Sequence, residues 1–117
     1  MPNRIVWFDL PVRDLNRAIQ FYSEVLDAEI KEDFPGVAVI AHKKDAVSGC
    51  LFLSESQQPS KEGTLIYFNV QGRLAAAVDA VKKNGGQVEQ PPHEMGPFGN
   101  RAIVIDSEGN RIALHSA

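Results

Sequence analysis

The sequence predicts an α+β fold in which two βαβββ modules form a curled mixed sheet around a concave pocket. Three observations support this prediction. The order of one strand, one helix and three strands occurs twice, both first strands alternate in polarity, and an amphipathic segment follows each of them. The 117 residues are expected to form a single domain, with module one at about 1–58 and module two at about 63–117. An unrelated ferredoxin-like sandwich is the alternative.

Module one opens with apolar side chains at every second position of residues 6–12, which predicts a strand with one buried face. Asp14 is a plausible N-cap for the helix that follows, whose apolar residues recur every three or four positions. Short strands are predicted at residues 29–34, 37–42 and 50–54.

Module two repeats this order. A strand is predicted at residues 65–70, and a helix follows that ends at Asn84 and the two glycines after it. A short strand near 87–90 leads into a loop rich in Pro and Gly. Two closing strands are predicted at 101–106 and 111–115, joined by a turn.

Side-chain direction divides each strand between a face that packs on the following helix and an opposite face, called here the pocket face. Aromatic residues with isolated polar groups are typical of a small-molecule site, although a face that packs on another chain is the alternative. The loop at 90–100 would form a lid carrying Met95 and Phe98. The lining residues are expected to be Trp7, Asp9, Cys50, Phe52, Tyr67, Asn69, Arg111, Ala113 and His115.

Composition and charge disfavour several kinds of partner. A net charge of −3 with scattered basic residues provides no surface for nucleic acid or anionic lipid. Asp9 interrupts the N-terminal apolar stretch, and no apolar run approaches the length of a membrane span. Cys50 is the only cysteine, which excludes an intrachain disulfide and suits a reducing compartment. The cytoplasm is therefore the expected location.

The two ends of the chain resemble those of the vicinal oxygen chelate superfamily, which includes glyoxalases, bleomycin-resistance proteins, fosfomycin-resistance enzymes and extradiol dioxygenases. The opening resemblance lies in residues 5–12, in Asp14, and in the pairs at 17–18 and 21–22; the closing hairpin at 105–116 is similar to the branch related to lactoylglutathione lyase. The resemblance implies two βαβββ modules around a cavity, and commonly a homodimer.

Metal-binding members of that superfamily place a ligand on the first strand of each module and a Glu on the last. The matching positions here are Trp7, Leu65 and Ala113, with a fourth near Cys50 or Phe52. Indole, isobutyl and methyl groups offer no lone pair to a metal ion, so the resemblance implies no metal and no other cofactor for this chain.

Other groups provide weaker candidates. Asp9, Arg111 and His115 are candidate catalytic residues. A displaced metal site would use Cys50, His93 or His115, although the histidines lack paired spacing. The acidic stretch at 106–110 lacks the alternating carboxylates of a calcium loop and is interpreted as a hairpin turn.

Three functions remain open at this point. The first is a protein that binds an aromatic or amphiphilic small molecule without a metal. The second is a lyase or isomerase related to lactoylglutathione lyase. The third is a dimeric interaction module whose cleft is vestigial.

Overall fold

The computed structural model describes residues 3–117 and contains two helices and seven strands in that range. Strand, helix and further strands occur in the same order in both halves, which confirms the predicted α+β fold. The elements are β1 (Trp7–Val12), α1 (Leu15–Val25), β2 (Val37–Val39), β3 (Ser48–Leu53), β4 (Ile66–Asn69), α2 (Leu74–Lys83), β5 (Gln87–Glu94), a 3-10 turn (Gly96–Phe98), β6 (Asn100–Ile105) and β7 (Arg111–Ser116).

The strands form two small sheets with corresponding topology. The sheet of module one has the order β1-β3-β2, and that of module two has the order β4-β7-β6-β5. In each sheet the first strand of the module runs parallel to its last strand, and the other pairs are antiparallel. Asp9 is paired with Cys50 in one sheet, and Tyr67 with Ala113 in the other.

The helix-facing sides of both sheets share one core. Leu10 and Val12 of β1, Phe68 of β4 and the following Val70 all lie in the buried apolar cluster with residues of both helices. The rings of Phe8 and Phe68 meet edge to face, with their centroids 5.7 Å apart, and so join the modules directly. The predicted division of these strands into two faces is therefore confirmed. No helix within residues 3–117 is long and apolar enough to cross a membrane.

The strand predicted at 29–34 is wrong, and the one at 37–42 is too long. Only an isolated bridge between Phe34 and Val37 remains of the first. The carboxylate of Asp33 accepts a hydrogen bond from the Val39 amide at 2.7 Å. This side chain takes the place of the backbone carbonyl that a neighbouring strand would offer. Beyond Val39, the Ser48 hydroxyl both accepts from the amide of Ala41 and donates to its carbonyl, which ends the ladder.

The loop predicted from residue 90 is also wrong in its first half, because β5 continues to Glu94. The pairing of β5 with β6 shifts register twice, between Val88 and Gln90 and between Gln90 and His93. The second shift spans Pro91 and Pro92, which have no amide hydrogen to donate. The following turn is held against β7. A Cβ on Gly99, whose φ is +96°, would lie 2.6 Å from the carbonyl oxygen of Ser116. The segment at 90–100 that was predicted to form a lid therefore consists of the end of β5 and a turn that packs against β7.

Candidate functional site

The pocket face carries an exposed aromatic side chain on the first strand of each module. Trp7 on β1 is 46% exposed and Tyr67 on β4 is 41% exposed. On the same face, the paired last strands present Cys50 and Ala113, both buried but outside the cluster that packs on the helices. Exposed aromatic side chains on the same face as small buried ones are the composition expected of a ligand site.

In module one, one carboxylate oxygen of Asp9 accepts hydrogen bonds from two other side chains of this face. Asp9 Oδ1 accepts a hydrogen bond from the Trp7 indole nitrogen at 2.9 Å and from the Cys50 thiol at 3.3 Å. Burial, and then the hydrogen bond and negative charge of Asp9, raise the pKa of Cys50 to about 11. The thiol is therefore protonated near neutral pH, which makes it a poor nucleophile and a poor metal ligand.

Replacing Asp9 with Asn should make Cys50 more reactive. The substitution removes the charge that opposes thiolate formation, so the pKa should fall from about 11 toward the ordinary value of 9.0. Alkylation by iodoacetamide at a fixed mildly alkaline pH should then accelerate by about threefold for each unit of that fall, because the thiolate fraction rises while each thiolate becomes a weaker nucleophile. Mass spectrometry measures the rate. Asp79→Asn, on the exposed side of α2, is the matched control. Equal rates in the two variants would show that Asp9 does not control the thiol.

In module two, four side chains from four strands meet at one end of the pocket face. Arg101 Nε donates to His93 Nε2 at 3.0 Å, and Arg101 Nη1 donates to the Tyr67 hydroxyl. The rings of Tyr67 and His115 lie 6.4 Å apart, and His115 Nε2 lies 2.6 Å from the carbonyl oxygen of Phe98. The structure therefore joins the predicted Tyr67 and His115 to Arg101, which the sequence analysis missed, and to His93, which it considered only as a metal ligand.

The other predicted lining residues lie around these two groups. Arg111 forms an ion pair with Glu89, with Nε and Oε1 2.7 Å apart. Asn69 is exposed and accepts a hydrogen bond from the backbone of the turn that follows it. Phe52 is half-buried beside Cys50, and the Phe98 side chain is 72% exposed, so it does not close over the site.

A cleft joins the two modules on this side of the molecule. Its volume is about 200 Å³. Asp9 contributes from module one and Arg111 from module two, and residues of the connection between the modules also line the cleft. The lining is completed by Leu10, Pro11, Gln58, Ser60, Glu62, Thr64, Ile66 and Asn110.

Comparison with known proteins agrees with this architecture. A family model described as the glyoxalase/bleomycin resistance protein/dioxygenase superfamily matches residues 4–114. The chain belongs to this superfamily. A glyoxylase-like domain-containing protein from Didymella fabae is 28% identical over 122 residues, covering 95% of this chain and 91% of that protein.

Solved structures of the glyoxalase/bleomycin-resistance type have the same fold. One from Albidiferax ferrireducens T118 superposes with a TM-score of 0.82 at 19% identity, covering 98% of this chain and 99% of that one. A hypothetical protein from S. aureus gives a TM-score of 0.73 at 22% identity, covering 100% of this chain and 99% of that one. At these identities the likeness concerns the fold alone.

The resemblance implies four metal-ligand positions, and strand register relates two of them to each other. Ala113 is paired with the residue two beyond Leu65, and Cys50 is paired with the residue two beyond Trp7. Cys50 is therefore the counterpart of Ala113 in module one. The four positions together offer one sulfur donor, and that thiol is protonated and bonded to Asp9. This donor set does not fit a divalent ion, which needs three or four ligand atoms.

A displaced metal site gains no support from the placement of the histidines. His93 and His115 lie in the sheet of module two, whereas Cys50 lies in the sheet of module one. Across residues 3–117, no three His, Cys, Asp or Glu side chains are grouped closely enough to hold a metal ion.

Proposed function

We propose that this chain is a small-molecule-binding member of the glyoxalase/bleomycin-resistance superfamily, that its ligand is aromatic or amphiphilic, and that binding needs no metal. The ligand would lie on the pocket face between Trp7 and Tyr67. The observation that carries the proposal is the exposure of these two aromatic side chains on the first strands of the two modules, on the face that also presents the buried Cys50 and Ala113.

The polar contacts of Trp7 support this proposal. The Trp7 indole is held in place by its hydrogen bond to Asp9. An aromatic ring whose polar atom is already satisfied presents its apolar surface at low entropic cost. Trp7 is also the only tryptophan in the chain, so its indole N–H gives a single resonance that reports directly on the proposed site.

The test is a titration with two neutral aromatic probes, indole and 2-naphthol, followed by NMR. We expect the Trp7 indole N–H resonance to shift in a saturable manner with at least one of them. Isothermal titration calorimetry should show that Trp7→Ala weakens this binding by about tenfold, which corresponds to the roughly 1.4 kcal/mol expected for an aromatic contact with its buried area.

Leu53→Ala is the matched control for this experiment. Leu53 is 54% exposed, but it follows Phe52 on β3 and so points to the opposite face of the same sheet. The control should bind the probe like the wild type. Binding that survives Trp7→Ala, or a stoichiometric metal found by elemental analysis of untagged protein, would contradict the proposal.

The alternative is an enzyme of the lactoylglutathione lyase branch. It is favoured by the position of Asp9, a carboxylate on the pocket face at the wall of the cleft between the modules. Turnover of the methylglyoxal–glutathione hemithioacetal that Asp9→Asn abolishes would establish this alternative in place of binding alone. A homodimer and a cytoplasmic location remain proposals, and light scattering tests the first.

A further inference from the structure

We propose that Arg101 is an anion-recognition residue, and that the ligand of the pocket face therefore carries a carboxylate or phosphate group besides its aromatic part. This inference rests on the proposed function and specifies its ligand class. Arg101 lies on β6, half-buried, at the end of the pocket face where Tyr67 and His115 meet.

Within the described residues 3–117, no carboxylate forms an ion pair with Arg101. Three half-buried arginines occur within residues 3–117. Arg73 lies 3.9 Å from a carboxylate oxygen of Asp27, and Arg111 lies 2.7 Å from one of Glu89. No Asp or Glu oxygen within residues 3–117 lies inside 4.0 Å of a side-chain nitrogen of Arg101. A half-buried guanidinium without a counter-ion attracts an anion from solution.

Neutral partners orient this guanidinium without neutralising it. His93 Nε2 accepts from Arg101 Nε, and His93 Nδ1 lies 2.8 Å from the carbonyl oxygen of Pro91. This pattern assigns the proton of His93 to Nδ1, so the imidazole is a neutral acceptor toward Arg101. The Tyr67 oxygen is a second neutral acceptor. Arg101 is thus directed by two hydrogen bonds and keeps its full charge.

Enough donors remain to bind an oxyanion. Arginine has five N–H donors, and His93 and Tyr67 occupy two of those of Arg101. The remaining three lie on Nη1 and Nη2, the edge of the guanidinium that matches the two oxygens of a carboxylate or phosphate. Because the Tyr67 oxygen accepts from Arg101, its own proton is available to the same anion. The exposed ring of Tyr67 lies alongside, where an aromatic ligand would contact it.

The test compares probes that share the naphthalene ring and differ in whether the group at its 2-position is neutral or anionic. We expect wild-type protein to bind 2-naphthoate or 2-naphthyl phosphate about tenfold more tightly than 2-naphthol, because a charge-assisted hydrogen bond contributes roughly 1.5 kcal/mol or more. Arg101→Gln should bring the ratio of anion affinity to 2-naphthol affinity to about one. Arg101→Lys keeps the positive charge but loses the paired N–H donors of the guanidinium, so it should retain part of the preference for the anion. The tighter of the two anions identifies the group recognised.

Arg13→Gln is the control, since Arg13 is exposed at the loop before α1, on the helix side of the first sheet. Thermal unfolding of each variant confirms that it is folded before titration. If 2-naphthol binds and the anions bind no better, or if Arg101→Gln leaves the ratio unchanged, the inference is overturned while the proposed function stands. If neither the neutral nor the anionic probes perturb the Trp7 resonance, both are overturned.

Discussion

Replacing Asp106 with Ala is expected to lower the free energy of unfolding by about 3–5 kcal/mol, because it removes a buried charge that many donors share. Asp106 is 2% exposed. Its Oδ1 accepts from the backbone amides of Glu108, Gly109 and Asn110 at 2.8–2.9 Å. Its Oδ2 accepts from the Tyr22 hydroxyl at 2.5 Å. The substitution would leave the hairpin amides and this hydroxyl without partners in the core.

Denaturant unfolding followed by circular dichroism measures this loss. Asp79→Ala, an exposed position on α2, is the matched control and should change the free energy of unfolding by less than about 0.5 kcal/mol. Tyr22→Phe removes one of the donors to Asp106 and keeps the ring, so it should cost about 1–2 kcal/mol. If Asp106→Ala were as stable as Asp79→Ala, the hairpin would not depend on this carboxylate.

The contacts of Asp106 illustrate how far local sequence reasoning extends. A turn at 106–110 could be predicted because Asp, Gly and Asn favour turns through short-range bonds, and those bonds are present. The bond to Tyr22 could not be predicted, since it joins residues far apart in the chain and depends on the Tyr22 ring reaching module two, where it lies 5.4 Å from the ring of Phe68. Period-two alternation likewise predicted the helix-facing side of β1 and β4 correctly, because one buried face determines the direction of every side chain.

The candidate site was predicted less completely. Trp7 and Tyr67 follow from alternation, since both lie on first strands of modules. Arg101 was missed because the pairing of β5 with β6 shifts register between Gln90 and His93, and only this register brings His93 beside Arg101. The strand at 101–106 was predicted, and because side-chain direction alternates along any strand, the position of Arg101 on the face of Ile103 was a usable signal. The neutral partners that orient Arg101 depend on tertiary structure.

The stability of the protein in acid should depend on Glu108, whose side chain is fully buried where the modules meet. Its Oε1 accepts from the backbone amides of Arg13 and Asp14, each at 2.8 Å, and its Oε2 lies 2.7 Å from Arg17 Nε. Burial alone would raise the pKa of Glu108, but the hydrogen bonds from Arg17 and from these amides outweigh burial and hold the pKa below its ordinary value of 4.5.

Because the pKa of Glu108 is lower in the folded state than in the unfolded state, the unfolded chain binds the proton more readily. The stabilisation is therefore fully present above about pH 4.5 and is lost as the pH falls through the folded-state value. Glu108→Gln should destabilise the protein by about 1–3 kcal/mol at neutral pH, because uncharged Gln accepts these bonds weakly. The difference from the wild type should shrink as the pH falls below 4.5.

Urea unfolding at a series of pH values measures this difference, with Glu55→Gln, an exposed loop position, as the matched control. The control should follow the wild-type profile throughout. A Glu108→Gln profile parallel to that of the wild type from neutral to acid pH would mean that Glu108 does not titrate with unfolding. A charged acceptor should bind the amides at the start of α1 more strongly than a neutral one. That result would therefore show that the negative charge of Glu108 adds nothing to stability beyond the hydrogen bonds themselves.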